Sequence, residues 1–367
     1  MRLKDRSSPL AITMWDFSWL ERRWPGAGYE DWDLALDDLV ERGYNAVRID
    51  AYPHFVARAP EREWTILPCW NQQTWGSPAE NRVQVLPALI EFVRKCRDCG
   101  VAVGLSAWFQ DDPEHVRLHI PSPEAHARIW CETLKHLERA GLFDAILFVD
   151  LCNEWPLNIW APFFNLKGDR KWHDAASQAW MRRALDTMRE TYPDFDYTFS
   201  HTAPLEVPDS QLGELDYLDF LEPHIWMVQA NEGEFYKRCG YHYERFSSVG
   251  YENLQRHAKA LYRTDPAYWK RHLERSIEHA AAQSELANLP LITTECWGIV
   301  DYKDWPLLDW DWVKELCAHG VRHAAATGRW AAIATSNFCG PQFAGMWRDK
   351  AWHQELTTII KSSRTPG

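Results

Sequence analysis

Short apolar runs and amphipathic segments alternate along the whole chain. Apolar runs, read as strands, fall at Leu10–Trp15, Ala46–Ile49, Val101–Trp108, Ala145–Leu151, Tyr197–Ser200, Tyr217–Leu221, Leu291–Thr294 and Trp330–Thr335. Between most of them the spacing turns helical. Trp32, Ala35, Leu36, Leu39 and Val40 share one face, and Gly43 closes that helix before the second strand. Ser77-Pro78-Ala79-Glu80 has the form of a capping box with proline at the first helical position, predicting a helix that Gly100 ends. Ser122-Pro123 opens another, ending near Gly141, and Asp309 is expected to cap a helix reaching about Gly320.

Eight strands separated by helices read as parallel βαβ units, and one closed (β/α)8 TIM barrel uses them all. The weak point lies between strands five and six, where Glu206 to Gly213 leaves room for only about two turns of helix. Long insertions follow strand two (51–76), strand four (155–171) and strand six (225–253). They sit at the C-terminal ends of strands, the face on which barrel active sites are built. No linker interrupts the pattern, so the expectation is an α/β protein with residues 1–367 in a single domain.

Composition narrows the partners. Net charge is −12, which disfavours nucleic acid and anionic membrane surfaces and leaves a neutral ligand as the better fit. The nine cysteines are odd in number and scattered, which argues for a reducing compartment. Cys96 and Cys99 form a lone C-x-x-C with no second pair for zinc. The apolar stretch near the N-terminus is too short for a signal peptide, and no segment approaches a membrane span. Cytoplasmic location is the resulting expectation. Tryptophan is the outlier, at 22 residues, and so many indoles suggest aromatic surface in a groove. Trp15, Trp19, Trp108, Trp155, Trp160, Trp226 and Trp297 all end or follow predicted strands. Trp64, Trp70 and Trp75, in the insertion after strand two, could equally form a small loop core.

Strand four runs out into Asn153-Glu154-Trp155-Pro156, and strand seven into Thr294-Glu295-Cys296-Trp297. Each places a glutamate just past an apolar run, on strands that face each other across a barrel. Glycosidic cleavage needs two carboxyl groups flanking the bond. With Arg48 on strand two and His224 after strand six, the chain resembles the family-five cellulase-like enzymes of glycoside hydrolase clan A. That resemblance implies a retaining mechanism on carbohydrate, with Glu154 as acid/base and Glu295 as nucleophile. It also implies that Asn153 holds the sugar 2-hydroxyl, that Arg48 keeps Glu295 ionised, and that His224 bonds sugar or carboxylate. No metal or cofactor is implied.

The chain departs from the family at three places. Trp226 stands where a tyrosine is usual, Trp108-Phe109-Gln110 replaces a histidine after strand three, and Ser336-Asn337 replaces a tryptophan after strand eight. Strand parity puts Arg48 with Asp50, and Asp150 with Glu154, so Asp50, Asp150 and Glu222 are candidates for a network around Arg48. Glu222 is the main rival for a catalytic carboxylate. Trp226, Trp297, Trp108, Trp15 and Asp16 complete the expected substrate contacts, with His54 and His201 as weaker ones. Two other readings compete. One is a metal-dependent barrel of sugar isomerase or amidohydrolase type, fed by His54, His201, His224, Asp50 and Glu295. The other is a sugar-binding barrel without catalysis.

Overall fold

The computed structural model describes residues 2–68, 80–202, 204–205, 212–242, 248–302 and 309–365. Eight parallel strands form its centre: β1 (Leu10–Asp16), β2 (Ala46–Asp50), β3 (Ala102–Ser106), β4 (Ile146–Asp150), β5 (Tyr197–Thr198), β6 (Pro223–Trp226), β7 (Leu291–Thr293) and β8 (Trp330–Ala334). Seven of them make one curled sheet in the order β7-β8-β1-β2-β3-β4-β5. Two-residue segments continue β5 and β7 and close the ring through β6. His201–Thr202 pairs with Pro223 and His224, and Cys296–Trp297 pairs with Ile225 and Trp226, both in parallel. A bridge from Leu221 to Leu291 adds to this seam. The first and last strands, β1 and β8, are neighbours, as a barrel requires.

Helices surround the strands: α1 (Trp32–Glu41), α2 (Val85–Asp98), α3 (Pro123–Arg139), α4 (Ala175–Thr191), α5 (Ser248–Thr264), α6 (Pro266–Ala287), α7 (Asp311–Thr327) and α8 (Lys350–Ser362). Side-chain caps hold α1 and α3, the one at α3 as expected. Asp31 accepts from the amides of Asp33 and Leu34, and Ser122 accepts from that of Ala125. Of the expected stripe, Trp32, Ala35, Leu36 and Leu39 are buried, while Val40 is exposed.

Three expectations need correction. Helix α2 starts at Val85, because Asn81–Gln84 is taken up as a strand pairing with Glu63–Ile66 in an antiparallel hairpin. Ser77, Pro78 and Ala79 of the expected capping box lie outside the described residues. Strand six falls at Pro223–Trp226 rather than at Tyr217–Leu221. The latter run is buried by packing, and only its last residue makes a strand bridge. Helix α7 runs through Gly320 to Thr327, since Gly320 is a packing glycine: a Cβ there would lie 2.7 Å from the Trp297 ring. Most of the expected short helix after β5 also lies outside the described residues.

The barrel's C-terminal mouth carries unusual backbone. Asp16, Tyr52, Phe109 and Glu154, at or just past the ends of β1 to β4, have φ of 40°, 46°, 40° and 46°. Left-handed conformations are costly for such side chains and persist only where the surroundings hold them. At Glu154 the holding groups belong to β5's continuation. The Ser200 hydroxyl accepts from the Glu154 amide at 2.9 Å, and the Ser200 carbonyl accepts from the Trp155 amide at 2.9 Å.

Candidate active site

Arg48 points from β2 into the barrel and is fully buried. Its Nη2 donates to Asp150 at 2.6 Å and to the Asn153 side-chain oxygen at 2.7 Å. Its Nη1 lies 3.2 Å from Glu295, and its Nε 3.5 Å from Glu222. Below the guanidinium lies the Trp108 ring, 4.6 Å from its carbon. Burial works against this cation, yet Glu222, Asp150 and Glu295 together raise its pKa, so it stays charged. One arginine therefore ties the ends of β2, β4, β6 and β7 together. Of the expected network, Asp150 and Glu222 are direct partners. Asp50 instead accepts from the backbone amides of Tyr52 and Trp108, and burial pushes it up to about 7.

Glu154 and Glu295 face each other with His224 between them. The His224 Nδ1 is 3.0 Å from Glu154 and 3.6 Å from Glu295. One carboxylate oxygen from each glutamate and this nitrogen all lie within 4.8 Å of one another. The second oxygen of Glu154 accepts from the Trp160 indole N–H at 3.2 Å. His224 is buried, which by itself would lower its pKa, but Glu295, Glu154 and Glu222 more than offset this and raise it to about 10. Glu295 behaves otherwise than expected. Burial pushes its carboxyl up to about 7, with Glu154 adding in the same direction, although His224 and Arg48 favour the anion. Arg48 thus limits the rise without cancelling it.

Both glutamates open into a cavity of about 200 Å³ at the C-terminal mouth. Its polar wall is completed by Asn153, Thr202 and Gln229. The apolar wall consists of Phe17, Trp108, Leu157, Trp160, Trp226 and Val300. Six strand ends contribute to this pit.

The expected residues divide on this cavity. Glu154, Glu295, Asn153, Trp108 and Trp226 line it, and Arg48 and His224 stand directly behind the carboxylates. Trp15 and Trp297 do not: both are fully buried, their indole N–H groups donating to the Cys339 and Ala334 carbonyls. Trp15 packs on Phe92 of α2, and Trp297 lies against Gly320 of α7. Trp19 and Trp155 are likewise interior, the former beside Trp32 and Phe92, the latter beside Phe164 and Trp180. Of the seven strand-end tryptophans, then, Trp108, Trp160 and Trp226 reach the cavity. Asp16 is buried without lining it; burial first, then Glu21 and Glu295, raise it well above the usual carboxylate range.

The Glu222 carboxylate is sealed between Arg48 and the Thr294 hydroxyl and does not reach the cavity. His54 bonds the Gln110 carbonyl and His201 lies against Trp172, both off the cavity wall. Trp64 stacks on Phe55 in a loop core, while Trp70 and Trp75 lie outside the described residues. The indole of Trp226, in the place of the expected tyrosine, donates to Asn337 rather than to Glu295. Sequence reasoning missed Phe17, Leu157, Thr202, Gln229 and Val300. Thr202 ends the strand segment that continues β5, Gln229 sits in a single helical turn after β6, and the only signal of all five is position near a strand end.

The model of the sugar-binding cellulase-like family matches residues 12–361. The chain belongs to that family. It shares 52% identity with a candidate glycoside hydrolase from Parabacteroides distasonis, whose crystal structure superposes with a TM-score of 0.94 over 98% of this chain and 96% of that one. An endo-β-1,4-mannanase from Thermotoga petrophila (8% identity, TM-score 0.57, 99% and 79% coverage) and an endoglucanase (12%, 0.51, 97% of each chain) share the barrel fold. No curated protein matches the sequence.

Proposed function

We propose that the protein is a retaining glycoside hydrolase acting on a β-linked oligosaccharide or glycoside. The observation that carries the reading is two carboxyl groups within 4.8 Å, on opposed strands, opening into one aromatic-walled pit. Retaining enzymes hold the pair about 5–5.5 Å apart, and inverting enzymes about 6.5–9.5 Å to admit a water. Glu295 attacks the anomeric carbon while Glu154 protonates the leaving oxygen. Glu154 then draws a proton from the water that releases the glycosyl-enzyme. Arg48 and His224 stabilise Glu295 as the anion that attack requires. The Asn153 amide N–H2, its oxygen being held by Arg48, is free to donate to the sugar.

The assignment of roles is tested by alanine variants with an activated aryl β-glycoside. Glu154→Ala is expected to accumulate the covalent intermediate and to be rescued by azide as the β-azide. Glu295→Ala lacks the attacking atom, so azide gives the α-azide. Identical azide products from both variants contradict the assignment.

Two observations favour other readings. The family's description speaks of sugar binding, and a protein that binds glycosides without turning any over would fit it. Glu154, His224 and Glu295 also have the spacing of metal ligands. Against a metal stands His224, raised to about 10: its proton would have to leave before it could ligate. Activity is therefore expected to survive exhaustive chelation. A reducing compartment fits the eight described cysteines, all free thiols, and no helix among the described residues is long and apolar enough to cross a membrane.

A further inference from the structure

We propose that the pit takes a single terminal pyranose bearing a methyl group where a hexose has its hydroxymethyl: a 6-deoxy sugar in β-glycosidic linkage. The proposal rests on the hydrolase reading above and names its substrate class.

Volume comes first. A cavity of about 200 Å³ is smaller than the roughly 300–1,000 Å³ of pockets that enclose drug-sized ligands, and it suits one ring rather than two. The polar inventory comes next. With Glu154 and Glu295 committed to the anomeric centre, the described residues of the wall offer three further polar side chains: Asn153, Thr202 and Gln229. The Asn153 oxygen is held by Arg48, which leaves its N–H2 for the ligand. The Gln229 Oε1 is buried and meets no donor among the described residues. Such an acceptor is rare in a native fold, and Gln229 borders both this cavity and a neighbouring one that it shares with Trp226.

A pyranose whose C1 is in the scissile bond presents hydroxyls at C2, C3 and C4, and a hexose adds one at C6. Three polar side chains match the first set. Among the described residues the rest of the wall is apolar, including the aliphatic Leu157 and Val300, and it offers a methyl group contact while giving a fourth hydroxyl no side-chain partner. A hydrophobic wall of this kind discriminates by about 100-fold at most against a group that merely adds a hydroxyl.

The test uses 4-nitrophenyl β-glycosides in pairs that differ only at C6: fucoside with galactoside, quinovoside with glucoside, and rhamnoside with mannoside. In the pair that is turned over, kcat/KM is expected to favour the 6-deoxy member by about 10- to 100-fold. Equal or better cleavage of the hydroxymethyl member overturns the proposal. If none is cleaved, the hydrolase reading fails, and calorimetry with the corresponding free sugars decides the recognition separately. Tighter binding of a 6-deoxy sugar than of its hydroxymethyl partner supports the proposal, and equal, weaker or absent binding overturns it.

Discussion

At the scale of single residues, the site turns on how burial and charge divide the work of two glutamates. In the proposed mechanism Glu295 must be ionised to attack, and its carboxyl is raised to about 7. Activity is therefore expected to fall as pH drops through about 7, giving an acidic limb well above that of an exposed glutamate. Arg48→Lys keeps a charge but loses the fork that reaches Asp150, Asn153 and Glu295 together. With less support for the anion, the acidic limb of the kcat/KM profile should move to higher pH. An unmoved limb would mean that Arg48 serves only the fold. Trp160 is the second lever. Its N–H aims one oxygen of Glu154, so Trp160→Phe should cost roughly 10-fold in kcat with poor leaving groups and little with activated ones, where proton donation matters less. A uniform loss across leaving groups would argue against that role.

Glu154 and Glu295 were legible in the sequence because each follows an apolar run, on strands that face each other across the barrel. The rise of Glu295 was not. It depends on how little water reaches the pair, and burial is set by loops whose paths no periodicity encodes.

At the scale of elements, strand ends were easier to read than the direction of the side chains they carry. Trp15 and Trp226 both fall at the end of an apolar run. The first turns out toward α2, and the second turns into the pit. Trp297 was read as a rim residue and Gly320 as a helix stop, and each misreading explains the other. The glycine lies mid-helix so that α7 can approach the indole, and neither residue has a pattern of its own outside that contact. Trp297→Ala should therefore destabilise by about 3–5 kcal/mol, as for other buried aromatics, and Gly320→Ala by about 1–3 kcal/mol through overpacking. Trp226→Ala should chiefly weaken ligand binding. Thermal unfolding of the three variants beside their KM values checks this, and a stable Trp297→Ala with raised KM would return that ring to the sugar site. Helix α2 teaches a related lesson. The local capping signal before it was overridden by strand pairing of Asn81–Gln84 with Glu63–Ile66, a partner some twenty residues away along the chain.

At the scale of the whole molecule, apolar runs with helices between most of them were enough to give the barrel, although one of the eight, Tyr217–Leu221, precedes strand six rather than forming it. The broken closure around β6 was not legible, because strands of two to four residues leave too short an alternation to recognise. The same closure concentrates ionisable groups in the core, with consequences for stability. His224 is raised from the ordinary histidine value of 6.5 to about 10, so its contribution is complete below about 6.5 and is lost as pH rises through about 10. Glu295 is raised too, so its neutral form favours the fold at low pH and this contribution fades as pH climbs through about 7. Both act in one direction. The melting temperature is expected to decline from neutral pH to pH 10, and His224→Gln should flatten the upper part of that decline. A wild-type curve that is level over this range would contradict the charge assignment at the centre of the barrel.

The central claim is that Glu295 forms a covalent bond to the sugar. Its most direct test is mass spectrometry of the protein after reaction with an activated 2-deoxy-2-fluoro β-glycoside of the sugar it turns over, followed by peptide mapping. The account predicts one added glycosyl unit, located on Glu295 and absent from Glu295→Ala. Normal turnover of the parent glycoside with no adduct, or an adduct on Glu222 or Glu154, would contradict it.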